Sequence, residues 1–454
     1  PRQGGAEGAG LSRGLVVVLI DDMGWNDVGF MGNRELQTPH LDRLAAEGAV
    51  FDAAYASAPN CAPARACLLS GLWPGRHGVY TVVDGRNAPG QPYHPLLAAA
   101  SEPELAPGFQ TFAEELGGAG FATGFFGMWN LGKREAGPEG QGFDVAVVPK
   151  DLGFERNAYR DGSRLLPDEL TGAALTFIEE HAGEPFVCYL ALHSVHAPFD
   201  PDPELLASFE GKGGDPEFAA TVAAVDRNMG RLRARLEGLG IDRQTTVLFT
   251  SDNGGERRRV APLRGGKGEL FEGGTRVPMV VWGSGVPAAL RSDVPVSGVD
   301  VFPTLLDLAG LPPRGGLDGV SLAPLLRGGS VAQERALFWH FPCYTGQGTP
   351  ASAMRRGRWK LVQSFDGEPA ELFDLTRDPS ERTDLAGERP EVAEALLAEL
   401  EAWQRSTGAA LPGGPNPAFD PSASRGRGRG PDKGKGGSRE RRGAGRGAER
   451  RQDR

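Results

Sequence analysis

The chain has 454 residues, a formal net charge of −10 and a hydrophobic content of 39%. This length supports a large buried core and two or three domains. No apolar run approaches the ~20 residues of a membrane-spanning helix, and the four cysteines are too few for a disulfide framework in so long a chain. The composition therefore excludes a membrane-spanning helix and a small disulfide-rich scaffold.

The first half of the chain begins with a Gly-rich segment, residues 1–13, for which we predict no structure. The apolar run 15–20 predicts a buried strand that delivers Asp21 and Asp22 at its carboxyl end, where open α/β sheets bind ligands. Thr38 and Pro39 predict a capped helix that stops at Gly48. After a Gly/Pro-rich connection, we predict a helix near 109–118 and a strand at 121–128.

The alternation continues to about residue 310. We predict helices at 167–181, 216–239 and 300–309, and strands at 186–192 and 246–250. Strands that alternate with helices in this way predict a mostly parallel sheet covered by helices on both faces. The fold class is therefore α/β.

The pattern changes after residue 330. Short strands are predicted at 336–340, 353–356, 359–363 and 371–374, and a terminal helix at 390–405, which together indicate a small antiparallel sheet with a helix packed on it. We accordingly divide the chain into a disordered N-terminus (1–13), a catalytic domain (14–330), an α+β subdomain (331–412) and a disordered tail (413–454). Residues 425–454 carry twelve basic and four acidic side chains, so the tail is basic and the body acidic.

Two strand ends carry oxygen ligands. Asp21 and Asp22 follow one predicted strand, and Asp252 and Asn253 follow another. Carboxylate and amide oxygens suit Ca²⁺ or Mg²⁺ and not zinc. A lone Asp-Asp pair is usually a turn, but the second strand end favours a metal site.

The stretch Cys61-Ala-Pro-Ala-Arg65 concentrates reactive groups. Pro63 fits the first turn of a helix, which places Cys61 just outside the helix start, beside unsatisfied N–H donors that favour an anionic ligand. Arg65 lies four residues on and reaches the same face. The alternative to a reactive site is a half-buried cysteine and a solvated arginine without a catalytic role. A disulfide between Cys61 and Cys67 is also conceivable, but it would consume the proposed nucleophile.

These stretches, together with the blocks 263–268 and 271–278, resemble the sulfatase family of the alkaline phosphatase superfamily from about residue 15 to 407. The resemblance implies an arylsulfatase-like hydrolase in which an enzyme oxidises Cys61 to formylglycine, and the modified residue joins the metal set. The hydrated aldehyde would attack sulfur through one hydroxyl, and the other would lose its proton and expel sulfate. Arg65 would hold the hydrate.

The resemblance also assigns residues to the substrate. Lys267 stands at the family's sulfate-binding lysine, although a lysine in a Gly-rich loop is usually solvated. His196 matches the histidine that contacts the ester and protonates the leaving oxygen. His193 and His196 could suggest zinc, but nothing completes such a site. His77 is interpreted as structural.

One block departs from the family. Where Gly-Lys-Trp-His-Leu-Gly is usual, residues 127–132 read Gly-Met-Trp-Asn-Leu-Gly. Met128 replaces the lysine that binds formylglycine and sulfate, and Asn130 replaces the histidine that takes the proton. Asn130 can still donate a hydrogen bond to substrate but cannot accept a proton at neutral pH. Lys133 has the opposite strand parity to Met128 and is not expected to substitute for the lysine.

Three hypotheses follow. The first is a sulfuric ester hydrolase, impaired or specialised by these replacements, acting on a sulfated small molecule or glycan. The second is a degenerate sulfatase that binds a sulfated or phosphorylated ligand without turnover, and the third is a phosphodiesterase or phosphonate hydrolase of the same superfamily. Loops 80–108, 133–165 and 341–352 would set specificity, and the basic tail could contact polyanions.

The compartment is not fixed by the sequence. The given chain begins at Pro1 and shows no signal peptide, and a leader could have been removed or omitted. The family resemblance implies a periplasmic or secreted protein.

Overall fold

A computed structural model describes residues 11–83, 90–155, 158–332, 334–345 and 348–423. The strands are β1 Gly14–Ile20, β2 Ala49–Phe51, β3 Ala54–Tyr55, β4 Ala122–Gly127, β5 Val145–Val147, β6 Arg160–Asp161, β7 Arg164–Leu165, β8 Phe186–Leu192, β9 Thr245–Ser251, β10 Val280–Gly283, β11 Leu290–Ser292, β12 Val296–Ser297, β13 Ala336–Phe341, β14 Ala351–Arg356, β15 Trp359–Ser364 and β16 Glu371–Asp374. The α-helices are α1 Pro39–Glu47, α2 Cys61–Ser70, α3 Pro74–His77, α4 Phe112–Gly118, α5 Leu166–Glu180, α6 Pro203–Phe209, α7 Pro216–Leu239, α8 Glu272–Thr275, α9 Val301–Leu308, α10 Ala323–Leu326 and α11 Pro390–Thr407.

A central sheet of eight strands forms the framework, in the order β11-β2-β10-β9-β1-β8-β4-β5. The pairs around β1, β8, β9, β4 and β5 are parallel, whereas β10 runs antiparallel to β9 and β2. Two apolar clusters cover the sheet, one on each face: α2, α4 and α9 contribute to the first, and α1, α5 and α7 to the second. The predicted α/β fold with a mostly parallel sheet is confirmed.

A smaller sheet follows in the chain. Strands β13 to β16 form an antiparallel meander, and α11 packs on β14 and β15. Its core includes Trp339, Leu361, Phe373 and Leu400, all fully buried. The prediction of a small antiparallel sheet with one helix is confirmed.

Buried ion pairs connect the smaller sheet to helix α8 of the larger domain. The Lys360 ammonium, which has no exposed surface, lies 2.9 Å from a Glu272 oxygen and 3.0 Å from a Glu381 oxygen. Glu272 begins α8, five residues after Lys267. The smaller sheet therefore supports the segment that carries the predicted substrate lysine.

Two local predictions were wrong. Cys61 is the first residue of α2 and not outside it, because Asn60 is the extended residue that precedes the helix. The first four N–H groups of a helix need no intrahelical partner, so Pro63 is tolerated at several positions of the first turn and could not fix the offset. Thr38 forms no side-chain cap on α1, because its hydroxyl accepts from the Gly29 N–H.

The N-terminus of α1 is instead capped from a distance. The Asp226 carboxylate, on α7, accepts hydrogen bonds from the backbone N–H groups of His40 and Leu41, at 3.2 and 2.8 Å. A residue 186 positions away in sequence thus does what Thr38 was expected to do. A local capping pattern could not reveal it.

The disorder predicted at both chain ends is too extensive. The Ser12 N–H donates to the Leu308 carbonyl, so order begins before residue 14. Asn416 is buried and donates to the Gln91 and His94 carbonyls, so residues just beyond 412 pack against the catalytic domain. The Gly-rich segment 1–10 and the basic segment 425–454 lie outside the described residues.

None of the helices in the described residues has the length and apolar character needed to cross a bilayer.

Candidate active site

Three adjacent strands bring the predicted metal ligands together. β1 lies between β8 and β9, with Ile20 opposite Leu192 on one side and Ser251 on the other. The residues that follow therefore leave the sheet at one level, because parallel strands in register end together. Asp21, His193 and Asp252 are the first residues beyond this edge, and all three are buried.

Arg65 holds the two carboxylates that face each other. Its side chain is 1% exposed. Its Nη2 lies 2.8 Å from Asp252 Oδ2 and 3.2 Å from Asp21 Oδ2, and its Nε donates to the same Asp252 oxygen at 3.0 Å. Its Nη1 donates to the Met128 carbonyl. The Arg65 side chain thus extends from α2 to the edge of the sheet, where its positive charge offsets the charges of two buried carboxylates.

The charges of the cluster shift its pKa values in opposite directions. Burial opposes ionisation of Asp21, but His193 and the cations of Arg65 and Lys267 outweigh it and hold the Asp21 pKa well below its usual range. Burial and the charge of Asp21 raise the Asp252 pKa to about 7, against the attraction of Arg65. Three carboxylates thus face the cations of Arg65 and Lys267, and a further cation would relieve the repulsion that remains between the carboxylates.

Two buried oxygens lack partners at this place. Asp21 Oδ1 and Asn253 Oδ1 accept no hydrogen bond from the described residues. The Asn253 amide nitrogen instead donates to Asp22 Oδ1 at 2.9 Å. Buried oxygens of this kind are costly unless they bind a donor or an ion. Ligand atoms of Asp21, Cys61 and Asp252 lie within 4.8 Å of one another, and this oxygen-rich set fits a hard cation such as Ca²⁺ or Mg²⁺.

Cys61 opens helix α2 at the floor of this cluster. It is 5% exposed and belongs to no disulfide, so the considered bridge to Cys67 is absent. Burial raises the pKa of its thiol far above the usual range; Lys267 opposes the shift, and Asp21 and Asp252 add to it. At neutral pH the unmodified thiol stays protonated and is a poor nucleophile.

Lys267 reaches the other side of the cluster. Its Nζ lies 2.5 Å from Asp22 Oδ1. Burial opposes protonation, but the Asp22 charge outweighs it and raises the Lys267 pKa. The neighbouring Gly268 N–H donates to the Pro59 carbonyl at 2.8 Å. The Gly-rich loop is thereby fixed to the segment that leads into Cys61, and its lysine is not free in solvent.

His196 is the more exposed of two stacked histidines. Its side chain is 31% exposed, and its Nε2 lies 3.8 Å from Asp22 Oδ2. Its Nδ1 lies 2.5 Å from the Ala197 carbonyl, which can only accept, so Nδ1 carries the hydrogen and Nε2 faces the cluster. The His193 ring stacks on it at 4.9 Å, and Nδ1 of His193 lies 3.5 Å from Asp21 Oδ2.

Sequence reasoning missed Tyr159 and gave His193 no role at this place. The Tyr159 hydroxyl lies 2.5 Å from the His196 carbonyl and 3.1 Å from the His193 carbonyl, so it fixes the turn that carries both rings. Tyr159 stands in a loop without a motif. Only the tertiary structure brings Tyr159 close to the two histidines. For His193 the sequence did offer a signal, because His193 and His196 are three residues apart.

The divergent block lies against the cluster through its backbone. Met128 is half-buried, its carbonyl accepts from Arg65, and its N–H donates to the Ala191 carbonyl at 2.9 Å. Asn130 is half-buried with a φ of 61°, and Lys133 is exposed. The backbone of this block is therefore tied to Arg65 and to β8, whereas its side chains are half-buried or exposed.

His77 lies apart from this cluster, in a buried structural contact. Its Nδ1 accepts from the Val79 N–H at 3.1 Å, and its Nε2 lies 3.4 Å from Cys67 Sγ. Burial lowers its pKa to about 3, so the ring is neutral at physiological pH. These contacts support the structural interpretation.

Fold and site together define a class: an alkaline-phosphatase-like α/β hydrolase with an anionic cluster and a lysine at the carboxyl ends of its central strands. The sulfatase family profile matches residues 13–311, and the profile described as N-sulphoglucosamine sulphohydrolase, C-terminal, matches residues 266–406. The chain belongs to the sulfatase family and is a sulfuric ester hydrolase.

Individual relatives agree over most of their length. The chain is 31% identical to N-acetylgalactosamine-6-sulfatase of Mus musculus, covering 90% of this chain and 89% of the relative. It is 30% identical to arylsulfatase A of Homo sapiens, covering 88% and 89%. Among solved structures, Ps i-CgsB in complex with k-i-k-neocarrahexaose superposes with a TM-score of 0.75 at 25% identity, covering 88% of this chain and 94% of that one. A phosphonate monoester hydrolase of Agrobacterium radiobacter shares the fold, with a TM-score of 0.64 at 22% identity and coverage of 88% and 96%.

Proposed function

We propose that this protein hydrolyses a sulfate monoester on a sugar, using formylglycine made from Cys61 and a divalent cation, Ca²⁺ or alternatively Mg²⁺. The observation that carries the proposal is the buried cluster at the strand ends. A protonated thiol, a paired arginine and two acceptor oxygens without partners converge there, and as they stand they form a poor active site. Oxidation of the thiol and binding of a cation would complete it.

Four residues would hold the cation: Asp21, Asp22, Asp252 and Asn253. The cation supplies Lewis acidity, and formylglycine supplies a hydrated aldehyde as the nucleophile. The residue made from Cys61 would also contribute a ligand to the cation. A maturation enzyme that oxidises cysteine is therefore a required partner of the proposed activity.

The cations of the chain itself have distinct tasks. Arg65 neutralises Asp21 and Asp252 and ties α2 to the edge of the sheet, which orients residue 61 in the same helix. Lys267, paired with Asp22, provides a charged donor for a sulfuryl oxygen. His196 directs Nε2 toward the same carboxylate, and when protonated it can donate a proton to the leaving oxygen.

We propose that Met128 and Asn130 slow this reaction. Methionine offers no charge to the sulfuryl group, and Asn130 can donate to the substrate but cannot take a proton. Loss of one preorganised donor costs about 10² to 10³ in rate, and loss of a general base costs a similar factor. The enzyme is then slow, or water replaces the missing base.

The substrate class proposed is a sulfated glycan. One relative is named for N-acetylgalactosamine 6-sulfate, and one structural neighbour was solved with a neocarrahexaose. The periplasmic or secreted location and the polyanion contact of the basic tail both stay predictions. Deletion of residues after Ser422 with unchanged heparin retention at low salt would argue against the tail contact.

Two other functions stay open to test. A degenerate sulfatase would bind the ligand without turnover, as Met128 and Asn130 favour. A phosphonate or phosphodiester hydrolase would use the same cation cluster, and the fold shared with the phosphonate monoester hydrolase permits it.

The test begins with mass spectrometry of the Cys61 peptide, from protein produced together with a formylglycine-generating enzyme. We expect the mass loss of thiol-to-aldehyde conversion, and aryl sulfate hydrolysis above that of the Cys61→Ala variant. Met128→Lys with Asn130→His should raise the rate by about 10² or more. An unmodified thiol beside a converted control sulfatase would favour the binding protein, and a preference for aryl phosphonates or phosphodiesters would overturn the sulfatase proposal.

A further inference from the structure

A groove of about 960 Å³ lies beside the site. Two segments that carry the cluster also line it: the loop after Asp22 contributes Asn26 and Asp27, and the loop between Asn253 and Lys267 contributes Arg258 and Arg259. The groove and the cluster therefore share two loops.

Arg259 is the unusual group in its wall. Its side chain is 10% exposed. Its guanidinium carbon lies 4.1 Å from the centroid of the Phe218 ring and 5.5 Å from that of Phe199. All three nitrogens lack a hydrogen-bond partner among the described residues. Nη1 comes within 3.3 Å of Glu256 Oε2, but without the geometry of a hydrogen bond.

This arrangement is expensive for a structural arginine. A buried charged donor without an acceptor loses its hydration and gains little in return. Arg65, which is at least as buried, spends its donors on two carboxylates and a carbonyl. The aromatic rings satisfy only the faces of the Arg259 guanidinium, so its N–H edge remains for a carboxylate or sulfate, which arginine binds through two parallel hydrogen bonds.

Two acidic residues that line the groove, Asp27 and Asp215, and the adjacent Glu256 all have partners other than Arg259. Asp215 lies 4.0 Å from Arg258, and Glu256 accepts from the same Arg258 at 3.0 Å. Asp27 accepts from the Gly24 N–H at 2.7 Å. Glu256 approaches Arg259 at Nη1, so the edge formed by Nε and Nη2 keeps its capacity for an added anion.

The groove is also coupled to the reacting end of the site. Phe199 follows His196 by three residues and contacts Arg259. The charge of Arg259 acts on the Tyr159 hydroxyl, which holds the turn of both histidines. The segments that hold Arg259 and His196 are thus in contact through Phe199.

We propose that Arg259 forms a second anion-binding subsite, which takes a carboxylate or sulfate on the sugar next to the one that carries the scissile ester. The inference rests on the proposed function, because it assigns the additional anion to a sulfated glycan. It narrows the ligand to one with at least two anionic groups on adjacent sugars.

Calorimetric titration of the full chain with Ca²⁺ tests this without turnover. The probes are a disaccharide with one sulfate, one with a sulfate and a uronate, and one with a sulfate on each sugar. Wild type should bind the two dianionic probes more tightly than the monoanion. Arg259→Met should weaken the dianionic probes by about 10- to 100-fold and leave the monoanion within about twofold. Loss on the uronate or on the disulfated probe identifies the group that binds.

Arg235, on α7, offers a control arginine that does not line the groove. Its side chain is 41% exposed and pairs with Glu179, and Arg235→Met should leave all three affinities within about twofold. Arg259→Lys keeps the charge but lacks the pair of parallel N–H donors of a guanidinium, so it should lose part of the preference for dianionic probes. This variant replaces Arg259→Met if the methionine variant does not fold. Equal weakening of all probes, or a wild type without dianion preference, would overturn the subsite. Arg259-dependent dianion binding by a chain that hydrolyses no sulfate ester even after Cys61 is converted would retain the subsite and refute the proposed activity.

Discussion

Removal of the Arg65 guanidinium should destabilise the protein sharply. Arg65→Met keeps much of the side-chain volume but leaves Asp21 and Asp252 facing each other in a buried site. Removal of one partner from a buried ion pair costs about 3–5 kcal/mol. We expect the free energy of unfolding in urea to fall by that amount when calcium is chelated.

Calcium should recover part of this loss, because a bound cation would take over the neutralisation of both carboxylates. The matched control is Arg43→Met, which breaks an exposed pair with Glu47 on one helix and should cost less than about 1 kcal/mol. An Arg65→Met variant within about 1 kcal/mol of wild type without calcium would refute the reasoning that Arg65 compensates the cluster.

Four other outcomes are expected. Calcium at 100 times its dissociation constant should stabilise the protein by about 2.7 kcal/mol, and Asp22→Asn should reduce the shift. Gly127→Ala should cost more than about 1 kcal/mol, since φ is 137° and a Cβ would collide with a backbone carbonyl, whereas Gly238→Ala meets open space and should be neutral or stabilising. Lys360→Met should cost about 3–5 kcal/mol in unfolding free energy, because two buried carboxylates lose their partner. Burial raises the Asp226 pKa to about 6 in the folded state. The stability that protonated Asp226 contributes is therefore full below about pH 4 and is lost as the pH rises through 6. The Asp226→Asn variant should show a flatter dependence of unfolding free energy on pH in this range.

Each has a contrary result. A melting temperature that does not change with calcium would argue against the cation site. An equal loss of unfolding free energy in Gly127→Ala and Gly238→Ala would argue against a backbone collision at residue 127. If Lys360→Met leaves the unfolding free energy unchanged, the ion pairs of Lys360 with Glu272 and Glu381 do not stabilise the fold. An unchanged profile in Asp226→Asn would show that other groups control stability between pH 4 and 6.

The sequence determined those features that depend on neighbours along the chain. Helix 216–239 was predicted with the bounds it has in the structure, because Pro216 suits a first helical turn and Gly240 a left-handed end. Strand 186–192 also matched, since an unbroken apolar run is buried on both faces. The position of Asp21 and Asp252 after such runs was enough to predict that their side chains meet at one sheet edge.

Only the tertiary structure decided the contacts between distant segments. Strand β10 pairs antiparallel with β9 and β2, a choice that no local period encodes. Asp226 caps a helix from 186 positions away, where a local pattern had pointed to Thr38. Arg259 is one of three consecutive arginines in the sequence, and packing against Phe218 makes it a buried cation whose nitrogens lack hydrogen-bond partners among the described residues. Burial and pairing arise from the whole fold, and they decide which charged side chains are solvated and which can bind a ligand.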